Sequence, residues 1–167
     1  MTEEDDLHGA YGHAVHPDAA AIIAAALVHI PFDGWTTEAL VAGAADAGLS
    51  ADDVARLFPG GAVDAVVMHS TLADEAMTRA FDSMADRPDR VHLMIRELIL
   101  IRLDQAAAHK EAVRRGLTLL ALPANALASA RALYATVDTM WRAAGQRDTD
   151  ISLSLIHISE PTRPFHI

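Results

Sequence analysis

The chain has 167 residues, a formal net charge of −10, 51% hydrophobic residues and only 5% aromatics. That length holds one domain with a real core, and the apolar mass is mostly Ala, Leu, Val and Ile. The absence of cysteine excludes disulfides and thiolate chemistry. The negative charge opposes nucleic-acid binding.

The first sixteen residues, MTEEDDLHGAYGHAVH, are polar and acidic. They lack the order of a signal peptide and the Arg-rich composition of a transit peptide. They read as a disordered arm, with His8, His13 and His16 as solvated tail residues. A first helix is expected from Pro17, with Ala19, Ile22, Ile23, Ala26, Leu27 and Ile30 on one stripe. Pro31 and Gly34 close it.

Gly34–Gly61, GWTTEALVAGAADAGLSADDVARLFPGG, reads as helix, tight turn, helix. Thr36 or Thr37 caps the first of these helices, whose apolar side carries Leu40, Val41, Ala44 and Ala47. Gly48 supplies the positive φ just beyond the helix end. Ser50 and Asp53 form a capping-box pattern for the second, with Val54, Leu57 and Phe58 inside. Such a helix-turn-helix reads DNA when the start of its second helix meets bases and phosphates. Here that turn carries Asp52 and Asp53, and residues 1–86 hold two basic residues, Arg56 and Arg79, against fifteen acidic ones. A surface of that charge repels a duplex, so no nucleic acid is expected as a partner.

A long helix follows from about Ala62 to Met84. The next spans about Pro88 to Ala107 and contains HLMIRELILIRLD. Its apolar residues cover more than one face, which fits either a central core helix or the wall of a pocket. A further helix runs from Lys110 to Leu122, where Pro123 stops it. Asn125 is expected to cap the last helix, which carries a stripe of Leu127, Ala130, Leu133, Tyr134, Val137, Met140, Trp141 and Ala144 up to Gly145. No strand pattern appears, so the fold class is all-α.

Residues 153–163 read LSLIHISEPTR. The string resembles an in-frame translation of a transposon-based sequencing adapter. The expected organisation is therefore an arm over 1–16, one helical domain over 17–151 and an adapter-derived tail over 152–167. No nucleotide-binding, nucleophile-elbow or zincin motif occurs, and the histidines are scattered singly. No catalytic residue, metal ligand or cofactor is therefore expected.

The order helix, helix-turn-helix, long helix, larger helical half resembles the TetR architecture. In SADDVARLFPGG, Gly60 and Gly61 stand where a TetR regulator usually has a lysine. A closer resemblance, over about Ala21 to Ile151, is to the ubiquinone-biosynthesis accessory family Coq-nine. It is carried by GWTTEALVAGAADAGLS, RELILIRLD, LALPANA and DTMWRAAGQRDTD in that order, above all by Trp35 and by Met140-Trp141. The resemblance implies a TetR-like fold without DNA binding, and a helical half that binds an isoprenoid quinone or phospholipid. It implies presentation of a quinone intermediate to demethoxyubiquinone hydroxylase, membrane contact through a C-terminal helix beyond Asp150, and a place in the bacterial cytoplasm peripheral to the inner membrane. A homodimer is a further expectation.

The apolar interior of the last helices assigns the lipid to Ile99, Leu103, Leu120, Leu127 and Val137. The partner surface falls on Asp138, Met140, Trp141 and Arg142, where an ion-pair-capable Asp and Arg flank a Trp. A core role for Trp141 is equally open. The alternative function is a TetR-like ligand-responsive transcription regulator.

Overall fold

The computed structural model describes residues 15–145. Residues 1–14 of the expected arm and the whole of the expected 152–167 tail lie outside that range. Among the described residues all regular structure is helical, and the chain is all-α.

Helix α1 spans Pro17–Ala26, with Pro17 at a first-turn position where its missing N–H costs nothing. His16 is not part of a tail: its ring Nδ1 accepts the Asp18 N–H at 3.2 Å and caps the helix. The chain then departs from the expected single helix. A turn over 27–29 leads into the short α2, Ile30–Asp33, so Pro31 lies inside a first turn rather than ending a longer helix. This break keeps Ile30 buried while Val28 and Phe32 point outward. His29 pairs with Asp46 at 2.7 Å.

Helices α3 (Thr37–Asp46) and α4 (Ala51–Leu57) form the helix-turn-helix. Thr36 Oγ1 accepts the Ala39 N–H at 3.2 Å, and Gly48 takes φ +73°. The Ser50–Asp53 capping box is complete in both directions. Arg56 and Ser50 together hold the Asp53 carboxyl down to about 2. That acid is thus committed to its own helix end.

Helix α5, Ala62–Asp82, is the longest element and the axis of the fold. Its first half shares a core with α1, α3 and α4, containing Ile22, Ile23, Leu40, Val54, Phe58 and Val66. Its second half places Met77 and Phe81 in a separate cluster with Leu98 and Ala144. Helix α6 (Val91–Ala108) packs on this second half, and helix α8 (Ala126–Ala143) runs along most of α5. Between them in sequence, α7 (Lys110–Leu120) returns to the first core through Ala112 and Gly116, both buried.

Two expectations change here. Asn125 does not cap α8 with its side chain; a 3-10 turn over Pro123–Asn125 runs directly into that helix. Its amide instead donates to the Leu119 carbonyl at 2.9 Å, satisfying the free end of α7. Nor is α6 a central core helix. Only Leu98 is fully buried, and Leu93, Ile99, Leu100 and Leu103 are exposed. Helix α8 likewise turns its expected stripe outward: Leu127, Leu133, Tyr134 and Val137 face solvent. Its inner side is the small-residue face of Ala128, Ala132, Ala135 and Thr136. The period of 3.6 shows an apolar face but not which neighbour covers it, and α5 selects the face that lets two helices approach closely.

Candidate functional site

Helices α1, α5, α6 and α7 border an open cavity of about 480 Å³. One wall is the outer side of α1, with Ala20, Ile23, Ala24 and Leu27. The facing wall is α5, where Leu72, Ala73 and Ala76 continue the apolar lining. Arg102, Gln105 and Ala106 close it from α6, and Val113 from α7. Small side chains at three of four helix faces leave the space; a volume of a few hundred Å³ with few polar groups is that of a small-molecule site.

The polar contribution comes from His69, Arg79, Arg102, Gln105 and His109. His69 sits on α5 between two elements from opposite ends of the chain. Its ring lies 5.4 Å from the Trp35 ring at a 56° tilt. The Trp35 indole N–H donates to the Ala112 carbonyl on α7 at 2.8 Å. Burial, reinforced by the charges of Arg102 and His109, pushes the His69 imidazolium down to about 4. The ring is therefore neutral at physiological pH, with one nitrogen donating and one accepting.

Arg102 is held by a network rather than left free to meet an anion. Its Nε donates to Asp74 at 3.0 Å and its Nη2 to Ser70 at 3.3 Å. Asp74 is buried on α5, and its second oxygen accepts the Thr136 hydroxyl of α8 at 2.6 Å. One carboxylate thus ties three helices. Buried charges persist in this way when both partners keep their hydrogen bonds. A second hollow of about 310 Å³ lies between α5 and α8, bordered by Asp64, Ser70, Asp74 and Arg131.

None of the residues assigned to lipid lines either hollow. Ile99 and Leu103 lie on the exposed side of α6, each three residues before a cavity residue, Arg102 and Ala106. Leu120 packs on the first core. Leu127 and Val137 stand on the outer face of α8. The positions expected to hold lipid, where α6, α7 and α8 converge, thus stand apart from the cavity bordered by α1 and α5.

Of the partner residues, Asp138 and Arg142 form an ion pair at 2.8 Å, one turn apart. Met140 packs into the second core cluster. Trp141 is partly buried and stands four residues beyond Val137 and seven beyond Tyr134, so it extends the outward stripe of α8.

Sequence reasoning passed over His69 and Asp74. The signal for Asp74 was present: a carboxylate three residues before Met77 and seven before Phe81 stands on an apolar face, and Arg102 interrupts an apolar run. For His69 no local pattern existed, because Trp35 and Ala112 reach it only through the tertiary fold. Among the described residues no three His, Asp or Glu side chains come together as a metal site. Among the same residues no single helix is long and apolar enough to cross a membrane.

No protein-family model matches the chain. Curated proteins do. The mitochondrial ubiquinone biosynthesis protein COQ9 of Homo sapiens is 30% identical over 139 residues, covering 78% of this chain and 43% of the human protein. COQ9 of Rattus norvegicus is 28% identical over the same share of this chain and 44% of its own length. COQ9-B of Xenopus laevis is 28% identical over 138 residues, 47% of its length. The chain thus spans less than half the length of the curated relatives it matches.

Proposed function

Over the matched span the chain belongs to the COQ9 family of ubiquinone biosynthesis proteins, and from that premise we propose a non-enzymatic accessory protein that holds a lipid for another enzyme. The observation that carries this reading is the apolar cavity of about 480 Å³, bounded by four helices and carrying a neutral histidine. A carrier needs a largely apolar volume, and the lining of this open cavity supports that reading.

In this reading an isoprenoid quinone enters the cavity, and its chain leaves along the Ile99 and Leu103 edge of α6. The outward stripe of α8, with Leu127, Val137 and Trp141, is the surface offered to demethoxyubiquinone hydroxylase or to the inner-membrane face in the bacterial cytoplasm. Asp138 and Arg142 form its polar rim. Lipids extracted from the purified protein and identified by mass spectrometry test the first half. An extract free of isoprenoid quinones and phospholipids would sink it. Trp141→Ala should weaken capture of the hydroxylase by roughly tenfold, the ordinary cost of truncating an interface Trp. A melting temperature that drops together with capture would instead make Trp141 a core residue.

The helix-turn-helix of α3 and α4 favours a second reading, a TetR-like ligand-responsive regulator. Asp52 and Asp53 at the start of α4 oppose it, since one of them is consumed as a cap and neither attracts phosphate. Anisotropy with random duplex DNA at low salt separates the readings. The carrier predicts no signal; a regulator gives binding that weakens steeply as salt rises.

A further inference from the structure

The corner between α7 and α8 is uncharged and exposed, with arginines on both of its arms. From Gly116 to Ala130 the sequence holds no Asp, Glu, Lys, Arg or His. The arms, Lys110–Leu120 and Pro123–Ala143, meet at 90°. Leu117, Leu122 and Leu127 stand exposed around the bend, Leu117 by 64% and Leu127 by 63%. Arg114 lies one turn before Leu117 on the exposed side of α7, and Arg131 one turn beyond Leu127 on the exposed side of α8. Glu111 pairs with both Arg114 and Arg115, which leaves one positive charge in excess there. From Lys110 to Arg142 the chain carries five basic residues and two acidic ones, in a protein of net charge −10.

The polar groups of the bend are turned onto its own backbone. The Thr118 hydroxyl donates to the Arg114 carbonyl at 3.0 Å, and the Asn125 amide to the Leu119 carbonyl at 2.9 Å. The Asn125 N–H donates to the Leu122 carbonyl at 2.9 Å, and Pro123 has no N–H to satisfy. Contact with hydrocarbon requires such closure, because no water is present to replace a missing partner.

We propose that the α7–α8 corner is a lipid-surface contact: its leucines enter the outer part of a bilayer, and Arg114 and Arg131 meet anionic headgroups. The inference rests on the part of the accessory reading that offers the outer face of α8 to enzyme or membrane. It gives the corner end of that face to lipid and the Trp141 end to the enzyme. The site is separate from the C-terminal helix beyond Asp150 that the family resemblance implies. Charge selects the occupant, since a basic segment in an otherwise acidic chain complements an anionic surface. Tyr134, exposed two turns beyond Leu127, stands where an aromatic ring suits the headgroup level.

Sedimentation of the full chain with vesicles of phosphatidylcholine and phosphatidylglycerol in equal parts tests this. Binding is expected, and it should weaken as salt rises. Vesicles of phosphatidylcholine alone should bind at least roughly tenfold less. Leu117→Ser with Leu127→Ser should lower affinity about tenfold or more, with an unchanged melting temperature, because both side chains are already mostly exposed. Arg114→Gln with Arg131→Gln should cost about fivefold per arginine on the mixed vesicles and nothing on phosphatidylcholine. The chain has no cysteine, so Ala124→Cys places a single environment-sensitive dye at the bend without disturbing the leucines. Its emission should shift to the blue when mixed vesicles are added, while a dye at Asp52→Cys on α4 should not respond. A full chain that stays in the supernatant, or a corner dye that shifts no more than the α4 dye, would overturn the proposal and leave the carrier reading to its extracted lipids. Unchanged affinity of the leucine variant would overturn it as well. Light scattering that shows a dimer dissociated by the same variant would give the corner to a second copy of the chain instead.

Discussion

Around α1 and α3 the molecule is closed by small residues. Gly43 lies so near Ala26 that a Cβ on it would stand 2.6 Å from the Ala26 nitrogen and 2.7 Å from its Cα. Ile22, Ile23, Ile30 and Leu40 fill what remains and are fully buried. Helices α6 and α8 are made from much the same kinds of apolar residue, but many of their large side chains point outward, with Leu103 61% and Tyr134 70% exposed. Apart from Val28 and Phe32, the first region spends its apolar surface on its own fold. The second leaves more of it exposed, and large exposed apolar patches often mark interaction sites.

The sharpest way to test that contrast is to disturb the closed region. In most helix interiors Gly→Ala stabilises by about 1 kcal/mol. At Gly43 the new methyl meets backbone, which cannot move without separating the helices, so Gly43→Ala should cost about 3 kcal/mol or more. Gly116→Ala is the comparison. Its nearest neighbour is a Val66 methyl at 3.1 Å, which can shift, so the change should stay within about 1 kcal/mol. Urea unfolding of both variants measures the difference, and equal costs would show that α1 and α3 are not packed as described.

The junction of the two regions comes next. Asp74→Ala removes the acceptor that holds Arg102 and Thr136, leaving a mostly buried guanidinium with Ser70 alone. A loss of about 3 kcal/mol is expected, at the low end for a broken buried pair because Arg102 keeps some access to water. The double variant Asp74→Ala with Arg102→Met should recover part of that loss. If the single variant were harmless, the three helices would not depend on this carboxylate.

These residues also show what could be read before the fold was known. The helix-turn-helix was legible because its signals are local: the Thr36 cap, the Ser50–Asp53 box and the positive φ of Gly48 each act within a few residues. The break after Ala26 was not, because Pro31 serves equally well as a stop or as a first-turn residue. The cavity was illegible for a different reason. It exists because alanines on α1, α5 and α6 face one another, and the sequence shows each alanine without its opposite number. Leu127 and Val137 were placed on the correct helix and the same stripe, but periodicity cannot say that the stripe faces out.

Acid separates the cavity from the surface. His69 titrates near 4 in the folded chain and near its ordinary 6.5 when unfolded, so between those values the unfolded state binds one more proton. Stability should therefore fall as pH drops from 6.5 towards 4, by up to about 3 kcal/mol from this group. His69→Gln should flatten that part of the curve. The carboxyls of Asp53 and Glu111, each held down to about 2 by arginine partners, act in a lower window. Their contribution is present above the ordinary carboxylate range and is lost as pH falls towards 2. Melting temperatures of wild type and variant across both windows check the assignment; parallel curves between pH 6.5 and 4 would show that His69 is not buried in solution.

The smallest effect on stability is expected where the effect on association is largest. Leu103 and Leu133 are each more than half exposed, so Leu103→Ser with Leu133→Ser removes little buried area. The helix propensities of the two residues differ by only a few tenths of a kcal/mol, which limits the cost per site to about 0.5 kcal/mol. The two positions lie on different helices with no common partner among the hydrogen bonds, so their costs should add. If the outer faces of α6 and α8 are working surfaces, the same variant should lose sedimentation with vesicles of anionic phospholipid or capture by the hydroxylase, while its calorimetric titration with decylubiquinone weakens only modestly, through the part of the chain that leaves along Leu103. Loss of quinone binding as well would join the cavity and the outer faces into one site. A melt lowered by several degrees would mean that these leucines are covered in solution by a second copy of the chain, which light scattering at high and low concentration would reveal.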